Sequence, residues 1–231
     1  MLRYSDSVRA QQSRSDCCAL THLVRWAFER LYRELSWAYD LVAAAVSGGL
    51  WQRWTRAALP FLRGRVLELG FGPGHLQLAL ATAGASPPFG VDASPQMIAR
   101  ARRRLRRAGL PARLARARAQ RLPLAPASFD TVLATFPSEY IADPRTHAEI
   151  LRVLAPGGRV VILPLAQLDR GLYARLVDLA YRLTLQAPVA RDDRQDAAPP
   201  TMSIGDLALS PRWVRVGPSR ALVLVGDLDH Q

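Results

Sequence analysis

The stretch Val66-Leu67-Glu68-Leu69-Gly70-Phe71-Gly72-Pro73-Gly74-His75-Leu76 constrains this 231-residue chain more than any other. An apolar strand runs straight into a turn with three alternate glycines, and a helix follows at once. Such a turn lets backbone approach a ligand closely and takes positive φ, which is cheap only for glycine. It predicts a strand-turn-helix unit with a cofactor seated at the turn. The dinucleotide pattern G-x-G-x-x-G/A is not met: the third glycine comes one place early and His75 stands in the fingerprint position, which disfavours a nicotinamide cofactor. A Walker loop is excluded more firmly, because it needs a lysine and the chain has none.

The surrounding texture agrees. Apolar runs at 66–69, 89–92, 112–115, 129–135 and 159–163 alternate with amphipathic helical patterns at 76–83, 95–108 and 145–154. Runs without a polar face, interleaved with helices, imply a parallel sheet covered on both sides. Two later runs, 213–216 and 221–225, flank Gly217-Pro218-Ser219-Arg220 and predict an antiparallel hairpin at the sheet edge. The expected fold is α/β: a Rossmann-like, doubly wound sheet of seven strands, mostly parallel with an antiparallel C-terminal hairpin strand, plus an N-terminal helical cap. Residues 1–19 read as a flexible tail, 20–62 as the cap and 63–231 as the sheet domain. Within the last, 188–203 carries Asp192, Asp193, Arg194, Asp196 and prolines, and reads as a polar loop.

The net charge is +12, and all 31 basic residues are arginine. An arginine surplus marks RNA, DNA or an anionic membrane as partner, or else a genomic bias toward GC-rich codons that also explains the abundant alanine. Location is the informative part. Ten of the arginines lie between Arg100 and Arg121, and no acid occurs between Asp92 and Asp130. Arg103, Arg106 and Arg107 share one helix face, with Arg100 a turn earlier, which fits a solvated face or a patch for RNA or anionic lipid. Cys17 and Cys18 are adjacent, so they staple no loop and offer no spaced zinc set; a reducing compartment and no metal are expected. Without a secretory signal or an apolar run of bilayer length, a cytoplasmic protein is expected.

Acid-x-Gly-x-Gly-x-Gly after the first strand resembles motif I of the class I S-adenosylmethionine-dependent methyltransferases. Further resemblances follow in order: Val91-Asp92-Ala93-Ser94-Pro95-Gln96-Met97, Ala119-Gln120-Arg121-Leu122-Pro123-Leu124, Ser128-Phe129-Asp130-Thr131-Val132, and the turn into the fifth strand, Leu151-Arg152-Val153-Leu154-Ala155-Pro156-Gly157-Gly158-Arg159. Together they span about residues 60–165 and look like the subgroup of ubiquinone and menaquinone C-methyltransferases. The resemblance implies S-adenosylmethionine as cofactor and S-adenosylhomocysteine as its product. On that frame Glu68 would anchor the turn and reach the methionine amino group, usually through water. Gly70, Gly72 and Gly74 would let the main chain pass beneath the methionine portion, and Asp92 would hold the ribose hydroxyls. Met97 would pack on the adenine face, the Ala119 backbone would meet the ring edge, and Thr135 would border the cofactor. Plainer roles compete, with Met97 as core filler and Asp92 as a helix-start residue. One departure stands out: many relatives carry an aspartate where this chain has Arg118. Either Gln120 or a main-chain carbonyl substitutes in holding the adenine amine, or adenine affinity is reduced.

Methyl transfer from a sulfonium is an in-line displacement, so holding the reactants matters most and a general base is optional. The usual substrate-facing stretch reads Thr135-Phe136-Pro137-Ser138-Glu139-Tyr140, not the Asn/Asp-Pro-Pro-Tyr/Phe signature of many amino-nitrogen methyltransferases. Glu139 and Tyr140 are the substrate-side candidates, or they cap and pack the next helix. Tyr32, Trp37, Tyr39, Trp51 and Trp54 make the cap rich in aromatics, which suits a core role or an apolar, lipid-like acceptor with transient contact at a membrane surface. Three functions stand: methyl transfer to a small, apolar or lipid-like molecule, which leads; RNA methylation using the arginine helix at 100–107; and a non-catalytic cofactor-binding or scaffold role.

Overall fold

Strand β1 (Val66–Leu69) is buried along its whole length, acid included, and is an inner strand of the sheet. The computed structural model describes residues 49–83, 87–168 and 202–229. Two units divide the chain, Met1–Ala45 and Val46–Gln231, and every described residue belongs to the second. The tail expected at 1–19, the cap through residue 48 and the polar loop through residue 201 lie outside the described residues.

The other strands are β2 (Phe89–Asp92), β3 (Arg113–Arg116), β4 (Phe129–Thr135), β5 (Leu154–Leu168), β6 (Met202–Ile204), β7 (Leu207–Arg215) and β8 (Ser219–Asp227). The helices are α1 (Trp51–Arg56), α2 (His75–Thr82), α3 (Pro95–Arg107) and α4 (Pro144–Val153), with 3₁₀ turns at Leu59–Phe61 and Glu139–Ala142. The sheet order is β3-β2-β1-β4-β5-β8-β7-β6. Strands β1 to β5 are parallel, and β8 is antiparallel to both β5 and β7, so β7 rejoins the common direction while β8 and β6 oppose it. The chain builds outward from β1 to β3, then returns to place β4 on the other flank of β1. That reversal opens a crevice at the carboxyl ends of β1 and β4, where α/β sheets bind ligands.

Period-two alternation sorts the core onto two faces. Leu67, Leu69, Val132, Ala134, Val160, Ile162, Leu222 and Leu224 pack with Ile150 and Val153 of α4. Their neighbours Val66, Leu133, Val161, Leu163, Ala221 and Val223 pack with Trp54 of α1 and Leu76, Ala79 and Leu80 of α2. Helix α3 begins at Ser94, whose Oγ accepts the Met97 N–H, continues through Pro95, and buries Met97, Ile98, Ala101 and Leu105 at helical spacing. Asp143 caps α4 in the same way, again with proline next.

The sheet is the expected one with an eighth strand. Residues Met202–Ile204, at the end of the expected polar loop, pair with β7 and bury Ile204. Three residues before Gly205-Asp206 are too few to register as a periodic strand. Strand β7 also starts at Leu207, earlier than the run at 213–216 suggested. Pro211 lies beyond the last β6 pair, Met202↔Leu209, where its missing N–H needs no partner.

Candidate functional site

All three glycines of the turn take positive φ, +66° at Gly70, +55° at Gly72 and +80° at Gly74, yet each is required for a different reason. A methyl group on Gly74 would stand 2.6 Å from the Ala101 Cβ and 2.9 Å from its Cα, so this glycine lets α2 close on α3. A methyl on Gly70 would lie 2.8 Å from the Tyr140 hydroxyl. Beside Gly72 there is open space. Only Gly72 therefore offers bare backbone to a ligand without already serving the packing of the turn. Arg104 of α3 donates to the Pro73 carbonyl and holds the turn from behind.

Asp92, at the end of β2, ties the turn to α3. Its Oδ2 accepts the Gly72 N–H at 2.9 Å and its Oδ1 accepts the Ser94 N–H at 2.8 Å. A carboxylate has about four lone-pair sites, and two remain for the hydroxyls of a ribose. The helix cap is Ser94 rather than Asp92. Burial raises the Asp92 pKa, against the pull of its two backbone donors. Glu68 is fully enclosed and pushed up to about 8 by burial, with Asp92's charge adding to the rise and a 2.7 Å hydrogen bond from Gln77 Nε2 opposing it. The Gln77 Oε1 is buried with no hydrogen-bond partner. Gln77 was not singled out in the sequence, where it reads as an ordinary polar position in α2.

Met97 is buried in the first turn of α3. Ala119 is half-buried and packs against the main core at the start of a loop clamped from α4. Glu149 accepts the Leu122 N–H at 2.6 Å, and Arg152, paired with Glu149, donates to the carbonyls of Leu122 and Leu124. Neither residue was legible as a site element, since Glu and Arg three apart on a helix read as a surface pair. Arg118 is exposed, and its backbone bridges to Arg121. Gln120 helps lower the pKa of Asp143, chiefly set by hydrogen bonds from Arg145, so its side chain is directed toward the start of α4.

Across the crevice, Thr135 ends β4 half-buried, and Phe136 follows with φ +46°. Its N–H donates to Leu163 O at 2.7 Å, and its ring stacks on Trp51 with centroids 4.2 Å apart and planes 25° from parallel. Trp54 adds a tilted contact at 6.4 Å and is fixed by a buried hydrogen bond from Nε1 to Ser219 Oγ. Phe136 lies in the stretch the sequence marks as substrate-facing but is not singled out there, because nothing local marks a phenylalanine for positive φ. The two substrate-side candidates separate. Glu139 is exposed, whereas Tyr140 turns inward and its hydroxyl donates to Leu69 O at 3.2 Å, over the glycine turn. Burial and the charges of Glu68 and Asp92 raise the Tyr140 pKa, so the phenol stays protonated.

The methyltransferase-domain family matches residues 66–158, from β1 into the start of β5. The chain is 35% identical over 162 residues to the demethylmenaquinone methyltransferase of Thermus thermophilus, covering 68% of this chain and 72% of that protein. The chain belongs to the S-adenosylmethionine-dependent methyltransferases. This methyltransferase is also 31% identical over 157 residues to the ubiquinone/menaquinone biosynthesis C-methyltransferase UbiE of Geobacter sulfurreducens, covering 63% of this chain and 60% of that protein. Its fold matches a SAM-dependent methyltransferase from Thermotoga maritima with TM-score 0.53 at 17% identity, covering 86% of this chain and 98% of that chain. It is an enzyme whose cofactor is S-adenosylmethionine, and the open backbone at Gly72 with the spare lone pairs of Asp92 fits that group.

Proposed function

We propose that this methyltransferase methylates a ring carbon of a small, apolar, quinol-type acceptor. The observation that carries the reading is the aromatic wall after β4. A bulky residue at positive φ is strained and persists only where its surroundings over-determine it. Here the strain is held by the Leu163 hydrogen bond and the Trp51 stack, and it sets the Phe136 ring at the carboxyl end of β4 as a flat apolar surface beside Thr135. A fused aromatic ring matches such a surface in shape and polarity. The names of the relatives from Thermus thermophilus and Geobacter sulfurreducens support the same acceptor class.

In this reading Asp92 holds the ribose, the Gly72 backbone passes under the methionine end, and Glu68 with Gln77 faces its amino group. The Ala119 main chain, kept in place by Glu149 and Arg152, borders the adenine, and Met97 supports the adenine face. Tyr140, protonated, steadies the turn from the Leu69 carbonyl. The cofactor supplies an electrophilic methyl group on a cationic sulfur. The work of the protein is alignment: the electron pair of the acceptor carbon forms the new C–C bond as the C–S bond breaks, and the ring proton then leaves to solvent. An electron-rich ring makes a dedicated base unnecessary, and no side chain is assigned as one.

The test is methylation of a short-chain demethylmenaquinol by the purified enzyme, followed by mass spectrometry. We expect a product one methyl group heavier. Phe136→Ala should lower kcat/KM about 10- to 100-fold, the range of one lost stacking and positioning contact, while S-adenosylhomocysteine affinity stays unchanged. Absence of methylated quinol, or full activity in Phe136→Ala, contradicts the reading.

A further inference from the structure

Helix α3 packs on the sheet through Ile98, Ala101 and Leu105, which meet Leu114 of β3. That contact leaves Arg102, Arg103, Arg106 and Arg107 exposed, in two rows of i,i+4 neighbours, Arg102 with Arg106 and Arg103 with Arg107. Beside them runs β3, the terminal strand, with Arg113 and Arg116 exposed. Arg102 reaches over to Leu114 O at 3.4 Å and so covers part of the open edge. Like charges at i,i+4 repel, and the sequence holds no acid between Asp92 and Asp130 to offset them. Among the described residues none of Arg103, Arg106, Arg107, Arg113 or Arg116 forms an ion pair. The contrast lies within the same domain: Arg63, Arg65, Arg145, Arg152 and Arg159 are each paired with a carboxylate. Among the described residues, Arg102, Arg103, Arg106, Arg107, Arg113 and Arg116 thus gather exposed charge without a carboxylate partner on one surface.

We propose that α3 and β3 form a docking face for the anionic phospholipid headgroups of a bilayer. The proposal rests on the reading that the acceptor is apolar, since such a molecule is dissolved in a membrane. Guanidinium groups fork phosphate oxygens, so the charge complements headgroups. Single-stranded nucleic acid is the less suited occupant, because its readers add aromatic stacking platforms, and no aromatic residue occurs between Gly90 and Ser128. The face meets the cofactor crevice at one end, where Arg116 pairs with Asp92 across the β3–β2 ladder, and extends away from it. Docking here holds the enzyme at the membrane without covering the crevice.

The experiment is co-sedimentation of the purified chain with vesicles of phosphatidylcholine alone or mixed with phosphatidylglycerol, at low and raised salt. Binding is expected only to the mixed vesicles and should weaken with salt. Each basic side chain near an anionic surface strengthens partitioning roughly fivefold, so R103Q/R106Q/R107Q should weaken it about a hundredfold, and R103K/R106K/R107K should retain it. The control R53Q/R56Q/R212Q removes the same charge elsewhere and should change binding by less than about fivefold. Equal loss in the control, binding to phosphatidylcholine alone, or RNA bound more tightly than mixed vesicles through the same three arginines would overturn the proposal. S-adenosylhomocysteine titration and quinol methylation of the triple glutamine variant report separately on fold and acceptor. A wild-type chain that fails to bind the mixed vesicles while it still binds S-adenosylhomocysteine and methylates the quinol refutes the docking face and leaves the acceptor reading intact.

Discussion

Glu68 shows how a single residue couples burial to chemistry. In the native state its carboxyl is pushed up to about 8 by enclosure, whereas in the unfolded chain it titrates near the ordinary value of 4.5. Between those values the folded protein holds a proton that the unfolded chain has released. Stability therefore falls as pH rises through that interval. The carboxyls of Asp130, Asp143, Glu149 and Asp227 are lowered by arginine partners, so their contribution is lost only in the more acid range. Denaturant titrations between pH 5 and pH 8 follow this fall, and Glu68→Gln should flatten it relative to wild type; an unchanged slope would show that Glu68 does not hold the proton. The acid was legible in the sequence as part of a cofactor turn. Its partner Gln77 was not, because a polar residue on an apolar helix face gives no sign of what it meets across the sheet. Phe136 is the sharper case: its backbone is set by Leu163 and Trp51, both distant in sequence.

At the scale of elements, the glycine turn reads as one motif in the sequence and divides into three jobs in the fold. Gly74→Ala combines a left-handed backbone, costing roughly 1–2 kcal/mol, with overpacking against the Ala101 backbone, costing roughly 1–3 kcal/mol. Gly72→Ala meets open space and carries the backbone term alone. Thermal unfolding should place Gly74→Ala well below Gly72→Ala in Tm, while calorimetry should show the larger loss of S-adenosylhomocysteine affinity in Gly72→Ala. The reverse order would mean that the turn is not divided in this way. Helix spans were read to within a residue or so, because caps such as Ser94-Pro95 and Asp143-Pro144 mark their starts. The clamp from Glu149 and Arg152 onto the loop at 119–124 was not, since its meaning depends on α4 lying beside that loop.

At the scale of the whole molecule, the alternation of strands and helices was enough to fix the doubly covered sheet, because each strand must supply apolar residues to both faces. What alternation does not supply is an edge: β6 is three residues long and exists through its pairing with β7. Among the described residues no helix is long and apolar enough to cross a membrane, and the proposed docking face rests on the exposed arginines of α3 and β3. The reversal between β3 and β4 sets the carboxyl ends of β1, β2 and β4 side by side, and the proposed site of Gly72, Asp92 and Phe136 depends on their converging there. Isothermal titration with S-adenosylhomocysteine tests it most directly. Losing two hydroxyl contacts to a carboxylate should cost about 2–3 kcal/mol, so Asp92→Ala should bind about a hundredfold more weakly than wild type, with Phe136→Ala binding as wild type does. Equal affinity in wild type and Asp92→Ala would contradict the account.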